Sequence, residues 1–381
     1  METSEKVKIL QDLIKIHSVN GNESEVADYL EALFDKYGVK TDVDHFSNRR
    51  SNLIATIGKG KSDKVLGLTG HMDTVAVTNP DTWQHDPFGG EIVGGEKLYG
   101  RGAADMKSGL AAQAIALIEL SESKSLPKGT VKFIATAGEE LGTPGAHLLE
   151  KQGVSKDLDA LVVGEPTGGN VIFSHSGSMN YVITSSGKST HSSHPSHGIN
   201  AITGLLKYVE KEEHLFDDAP KDKYLGKIQH SVTVIEGGDQ VNTIPDHALL
   251  KGNVRPTPSF DNQKVADLLN KVVDEINVKY PYHLKLTIIQ DYHPIFTDPD
   301  SKFVKTALDA SKKYFPHDVK TDIINGATDA SVFTSHRPDL PAVVLGCDFW
   351  DEAHQTDEYT TISSYLATVD VYKKIIKEFF D

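Results

Sequence analysis

Four short apolar runs constrain this chain most: Val65–Thr69, Val131–Ala135, Ala160–Val163 and Ala342–Leu345, each bounded by turn signals. Runs of this length and β-branched character suit strands buried on both faces of a largely parallel sheet. A helical stretch, Lys107 to Glu122, lies between the first two. Strands alternating with helices predict a three-layer α/β domain with a mostly parallel sheet. Upstream, Ser4 to His17 has the apolar spacing of a helix. Asn22, with Glu25 three residues on, reads as the N-cap of a second helix ending near Tyr37, where Gly38 is placed to stop it.

The middle of the chain follows another order. Strand (Tyr181–Ser185), helix (Gly198–Glu213), strand (Ser231–Glu236), strand (Ala248–Val254), helix (Asn262–Lys279) and strand (Leu284–Gln290) succeed one another. That is the β-α-β-β-α-β order of a ferredoxin-like α+β unit. The expected organisation is therefore an α/β domain made of residues 1–177 and 292–381, with an inserted domain at 178–291. A chain of 381 residues has ample material for two cores.

Charge and composition remove several classes of function. The formal net charge is −15, and no basic cluster offsets it, which argues against a nucleic-acid partner. A single cysteine, Cys347, excludes an internal disulfide and any cysteine-rich zinc module; it reads as a small buried hydrophobe. The N-terminal METSEKVKIL has no apolar signal-peptide core, and the stretch Leu110–Leu120 is too short to span a bilayer. The expectation is a cytoplasmic protein with neither a membrane nor a nucleic-acid partner.

The polar residues that follow the apolar runs carry the chemistry. Val65–Thr69 leads into Gly70-His71-Met72-Asp73, Val131–Ala135 into Gly138-Glu139-Glu140, and Ala160–Val163 into Gly164-Glu165-Pro166. Ala342–Leu345 is followed by Gly346 and then His354, while Asp105 precedes the Lys107 helix. Ligands of open α/β sheets bind beyond the carboxyl ends of the strands. Singly, these residues read as an ordinary histidine, a solvated acidic turn, a helix cap and a turn residue. Together, two histidines and three carboxylates suit zinc or a similar divalent ion. Five ligands exceed the need of one catalytic zinc and suit two ions sharing a bridging carboxylate. Such a pair can activate water near neutral pH and polarise a carbonyl, as amide or ester hydrolysis requires. Of Glu139 and Glu140, one is left over to move a proton to the leaving nitrogen. Asp73 is placed to accept the other ring N–H of His71.

At these residues the sequence resembles the dinuclear-zinc aminoacylase and carboxypeptidase family. The matching pieces are GHMDTV (70–75), LYGRGAADMKSGLAA (98–112), TAGEELGTPGA (136–146), VGEPT (163–167), GKSTHSSHP (187–195), VNTIPDHA (241–248) and DEAHQTDEY (351–359), in the family's order over essentially the whole chain. RGAADMK is typical of the branch of desuccinylases and deacetylases. The resemblance implies that His71 and Glu165 hold one ion, that Glu140 and His354 hold the other, and that Asp105 bridges them. It makes Glu139 the general base and acid and gives Asp73 the orientation of His71. It implies a cis peptide after Asp105.

For the inserted domain the resemblance implies a homodimer in which a histidine of one subunit completes the site of the other. Among the neighbours His191, His194 and His197 it selects His191, as a donor to the oxyanion. Asn242 and Arg255 match positions that hold the substrate carboxylate, and Asn325-Gly326-Ala327-Thr328 matches a substrate-binding turn, giving Gly326 and Thr328 as candidates. The implied function is a metal-dependent amidohydrolase with Zn2+, or Co2+ or Mn2+, acting on a small N-acyl amino acid. The first expectation is N-succinyl-LL-2,6-diaminopimelate. Acetylornithine deacetylation or dipeptide cleavage is the alternative within the class. A non-catalytic relative should have lost ligands or the base, and none is missing here. A phosphate-processing two-metal enzyme should place more Arg or Lys beside the acids than Arg101 and Lys107. His-Met-Asp-Thr in place of the desuccinylases' common His-Thr-Asp-Val, and the single glycine of the substrate turn, bear on the acyl group and not on hydrolysis.

Overall fold

The computed structural model describes residues 1–123 and 125–381. By its contacts the chain divides into two compact units: Met1–Phe173 with Phe296–Asp322 and Thr328–Asp381, and Ser174–Ile295 with Ile323–Ala327. The short return of Ile323–Ala327 to the second unit has no signature in the sequence.

In the first unit the central sheet runs in the order Lys40–Ser47, Arg50–Gly58, Thr130–Thr136, Val65–His71, Ala160–Val163, Ala342–Val344. Its middle is parallel: Val65–His71 pairs with both Thr130–Thr136 and Ala160–Val163, and the latter pairs with Ala342–Val344. The first two strands add an antiparallel edge. Every residue of Val65–His71 is buried, as a strand covered on both faces requires. The helix Ser108–Glu122 is apolar almost all round and is buried along nearly its whole length. The closing helix Ile362–Phe379 packs on it and buries Tyr365, Val369, Tyr372, Ile375 and Ile376, each contributing about 1.5–3 kcal/mol. The fold is thus α/β, with a sheet parallel at its centre and separate antiparallel sheets. The cap expected at Asn22 is not made: Glu23 precedes the helix Ser24–Lys36 without a side-chain cap bond, and Asn22 accepts from Arg49 instead. Cys347 is buried, and no helix of the described residues is long and apolar enough to cross a membrane.

Register aligns the strand ends. His71 lies opposite Thr136, and Thr69 lies opposite Val163. His71, the Gly138–Glu140 turn and Glu165 therefore leave the sheet on one edge. The Ser108–Glu122 helix presses directly on the turn that carries Glu165: a Cβ on Gly109 would lie 1.8 Å from the carbonyl oxygen of Gly164. Gly109→Ala is expected to cost about 1–3 kcal/mol. At about 2–4 °C per kcal/mol this is visible in a thermal melt, and an unchanged Tm would contradict the close approach.

The second unit contains an antiparallel sheet in the order Gln229–Gly237, His247–Arg255, Ser178–Ser186, His283–Tyr292. Buried and less buried positions alternate along Ser178–Ser186 and His247–Arg255, so one face of the sheet carries the core. Met179, Tyr181, Ile183 and Leu250 pack there with Leu205, Leu269, Val273 and Ile276 of the helices Ala201–Glu212 and Asn262–Lys279. Asn200 caps the first helix by accepting from the N–H groups of Ile202 and Thr203. Asp261 caps the second by accepting from Lys264.

Candidate metal centre

Five side chains of the first unit converge beyond the sheet edge. Asp105 lies between two histidines, with Oδ1 3.0 Å from His71 Nε2 and Oδ2 3.3 Å from His354 Nε2. Glu165 Oε1 is 3.8 Å from His71 Nε2, and Glu140 Oε1 is 2.8 Å from His354 Nε2. His71, Asp105 and Glu140 each offer a donor atom within 4.8 Å of the others. The cluster has two halves: His71 with Glu165, and His354 with Glu140, each facing one oxygen of Asp105. The Asp105–Met106 peptide is cis.

Charge in this cluster is unbalanced. Burial, and then the Asp105 carboxylate, push the Glu165 carboxyl well above the usual range. Burial likewise raises Glu139 well above it, with Asp329, Glu140 and Asp105 adding to the shift. Hydrogen bonds to Asp105 and Glu140 push His354 up to about 10. Burial opposes the charged form of His71, yet Glu165, Asp105 and Asp73 raise it well above its ordinary value. Buried acids crowded in this way hold protons unless cations neutralise them. The mixed imidazole and carboxylate donors, half from each side of one shared carboxylate, fit two divalent ions of the zinc type.

Asp73 is fully buried and organises more than a histidine. His71 Nδ1 is 3.0 Å from the Asp73 main-chain oxygen and 3.5 Å from its carboxylate. The Asp73 carboxylate accepts from the backbone N–H groups of Gly138 (2.8 Å), Glu139 (3.0 Å) and Glu140 (3.1 Å). It thereby fixes the turn presenting both glutamates, a contact with no sequence signature. Three further groups are buried, of which Asp329 and Glu358 have no sequence signature, while Lys107, read as a cation beside the acids, turns to other partners. Asp329 accepts from Thr136 Oγ1 at 2.5 Å, and burial pushes its carboxyl up to about 6. Lys107 donates to the carbonyls of Leu13 and Ile16, both at 2.8 Å, and burial pushes its amine down to about 7. Glu358 is buried against Arg101.

The remaining candidates lie as follows. In the second unit His191 sits on the short strand Thr190–His191, opposite Thr243, and its ring is exposed with Nδ1 2.7 Å from Ser193 Oγ. Ser192 N–H donates to the Asn242 carbonyl at 2.9 Å, which sets Asn242 beside His191. Arg255 ends the strand His247–Arg255, and among the described residues its half-buried guanidinium has no hydrogen-bond or ion-pair partner. Gly326 falls in the Ile323–Ala327 segment of the second unit. Thr328 opens the next segment of the first unit and accepts from Ala330 N–H at 3.2 Å.

Comparison with known proteins gives a consistent picture. The family described as Peptidase family M20/M25/M40 matches residues 67–378. A protein of Staphylococcus aureus named probable succinyl-diaminopimelate desuccinylase is 37% identical, covering 97% of this chain and 96% of the relative. A solved tripeptidase structure from Staphylococcus aureus superposes with a TM-score of 0.79 at 22% identity, covering 100% of this chain and 99% of the other. A Bacillus subtilis structure described as a dinuclear metal binding peptidase from the M20 family has a TM-score of 0.76 at 16% identity, over 99% and 98%.

Proposed function

Since the chain belongs to peptidase family M20/M25/M40, whose members hydrolyse amide bonds, we propose that it is an N-acyl amino acid hydrolase using two divalent ions. Its proposed substrate is N-succinyl-LL-2,6-diaminopimelate, released as succinate and LL-diaminopimelate. The observation that carries the hydrolytic reading is the cluster of His71, Asp105, Glu140, Glu165 and His354 with an extra, half-buried acid, Glu139, beside it. The 37% identity to a probable desuccinylase over nearly the whole chain supports the substrate.

His71 and Glu165 would hold one ion, His354 and Glu140 the other, and Asp105 both. Zinc, cobalt or manganese bound there would supply activated water and polarise the scissile carbonyl. The protein's own groups do the rest. Glu139 takes the proton of the attacking water and delivers it to the leaving nitrogen. Asp73, through three backbone N–H groups, keeps Glu139 and Glu140 in their turn. His191 donates a hydrogen bond to the oxyanion as the carbonyl becomes tetrahedral. Arg255, whose guanidinium is unpartnered among the described residues, binds a substrate carboxylate together with Asn242, and Gly326 and Thr328 line the substrate turn. We further propose a cytoplasmic homodimer assembled through the inserted domain, residues 178–291. The lone Cys347 is in keeping with a reducing compartment.

The test is a substrate panel on zinc-reloaded enzyme, reading kcat/KM for N-succinyl-LL-diaminopimelate, N-acetylornithine and short peptides. A charged hydrogen bond contributes about 1.5–3 kcal/mol, so the succinyl carboxylate should favour its substrate over the acetyl one by about 10–150-fold. A peptide or acetyl substrate that wins would replace the substrate assignment and keep the chemistry. Loss of all activity on chelation, and its return with zinc, is expected in either case.

A further inference from the structure

Asp105 is presented by a kinked helical turn, Ala103–Lys107, whose backbone leaves helical geometry at Asp105 and Met106. Between the strand Lys97–Tyr99 and this turn the chain passes through Gly100, Arg101 and Gly102, the last at φ +87°. Buried N–H groups in such a stretch need acceptors from elsewhere. Those of Gly102, Ala104 and Asp105 all donate to one atom, Glu358 Oε1, at 3.1, 2.9 and 3.0 Å. Glu358 Oε2 accepts from Arg101 Nη1, and Arg101 Nη2 reaches the main-chain oxygen of His354 at 3.3 Å. Both charged side chains are buried, and the guanidinium lies over the Trp83 ring, 5.3 Å from its centre.

We propose that Glu358 and Arg101 are positioning residues of the hydrolytic site, clamping the loop that bears Asp105 to the loop that bears His354. The inference rests on the two-ion reading above. A carboxylate that shares two cations must hold each oxygen at a set distance from the histidine on its side. The Asp105 backbone is anchored at its own N–H and at two preceding N–H groups by a single carboxylate oxygen, which fixes the direction in which its side chain leaves the chain. His354 adopts φ +63°, uncommon for a residue with a Cβ, and its carbonyl is held by the same guanidinium. The strand Tyr359–Thr361 pairs antiparallel with Lys97–Tyr99, and Gly100 N–H donates to the Glu358 carbonyl at 2.8 Å, so the two loops are also tied at their roots. Neither charge has a role in the chemistry: both oxygens of Glu358 are spent on the loop and on Arg101. Leaving a buried charge unpaired is costly; the backbone cradle and Arg101 Nη1 occupy both Glu358 oxygens, while Arg101 Nε has no partner among the described residues.

The experiment compares wild-type protein with Glu358→Gln and Arg101→Lys, each checked for folding by circular dichroism. Zinc affinity is measured by competition with a chromophoric chelator, and amide hydrogen exchange is measured on the metal-free proteins by mass spectrometry. Outer-shell partners of metal ligands typically account for 10–100-fold in affinity, and both variants are expected to bind zinc about 10–100-fold more weakly. Exchange should accelerate in the peptides covering 100–107 and 350–358 and stay unchanged elsewhere. A purely structural pair would lower the melting temperature and leave the zinc affinity of the folded variant intact, and that result overturns the proposal. Should Glu358→Gln fail to fold, Arg101→Lys decides, because it keeps a buried positive charge beside Glu358 and removes the planar fork that spans Glu358 and His354. Wild-type protein that binds no zinc would instead overturn the two-ion reading, and the clamp with it.

Discussion

Glu139→Ala protein loaded with zinc is expected to keep both ions and to lose turnover by about 10²–10⁴-fold, the usual contribution of a positioned acid–base group. The two effects separate because Glu139 is left over once His71, Asp105, Glu140, Glu165 and His354 are assigned to the metals. Its backbone N–H is held by Asp73, as is that of Glu140, so deleting the Glu139 side chain leaves the turn anchored. Its environment suits a proton shuttle. Burial and the neighbouring acids Asp329, Glu140 and Asp105 push its carboxyl above the ordinary range, the direction expected of a group that takes and returns a proton. Metal analysis of the purified variant beside its kcat is the check. Full turnover would remove Glu139 from the mechanism, and loss of metal would make it a ligand.

His191→Ala is expected to lower kcat by about 10²–10³-fold, the usual worth of one oxyanion donor, with metal content unchanged. The ring is exposed on a short strand, and surface substitutions of this kind rarely move stability by more than about 0.5 kcal/mol. A large loss would therefore report on chemistry. If the histidine serves the partner's site, mixing His191→Ala with Glu139→Ala subunits creates hybrid dimers with one intact site. Random exchange then restores up to about a quarter of the wild-type activity. No recovery after exchange has been demonstrated by mass spectrometry would mean that each subunit completes its own site.

The legible part of this protein is the part written in local patterns. Val65–Thr69 and Ala160–Val163 are recognisable because a strand buried on both faces must be continuously apolar. The residues that follow them stand out because a histidine or a glutamate is costly at the end of such a strand unless it has a use. The order of strands and helices in the second unit is legible from local pattern too, whereas the caps at Asn200 and Asp261 emerge only in the structure. What else escaped depends on partners distant in sequence. Glu358, in a stretch of acidic and polar residues, looks like a solvated charge, and only its acceptance of N–H groups some 250 residues away shows otherwise. Asp73 reads as a partner for His71, whereas its carboxylate is spent chiefly on the backbone of residues 138–140. Asn22 has the spacing of a cap, but Arg49 takes its side chain. Spacing proposes a local bond and cannot weigh it against a competitor folded in from elsewhere.

The division of the first unit into separated segments has a consequence for how the chain is made. The Ser108–Glu122 helix emerges from the ribosome about 240 residues before the helix at 362–379 that packs on it. At about 5–20 residues per second, its apolar surface waits on the order of 12–50 s for that cover. Meanwhile the second unit has nearly all of its own sequence and can complete its core first. The nascent chain thus carries a finished module beside an unfinished one. The segment that brings His354, Glu358 and the helix at 362–379 together completes the first unit's core and its candidate metal centre in the same step.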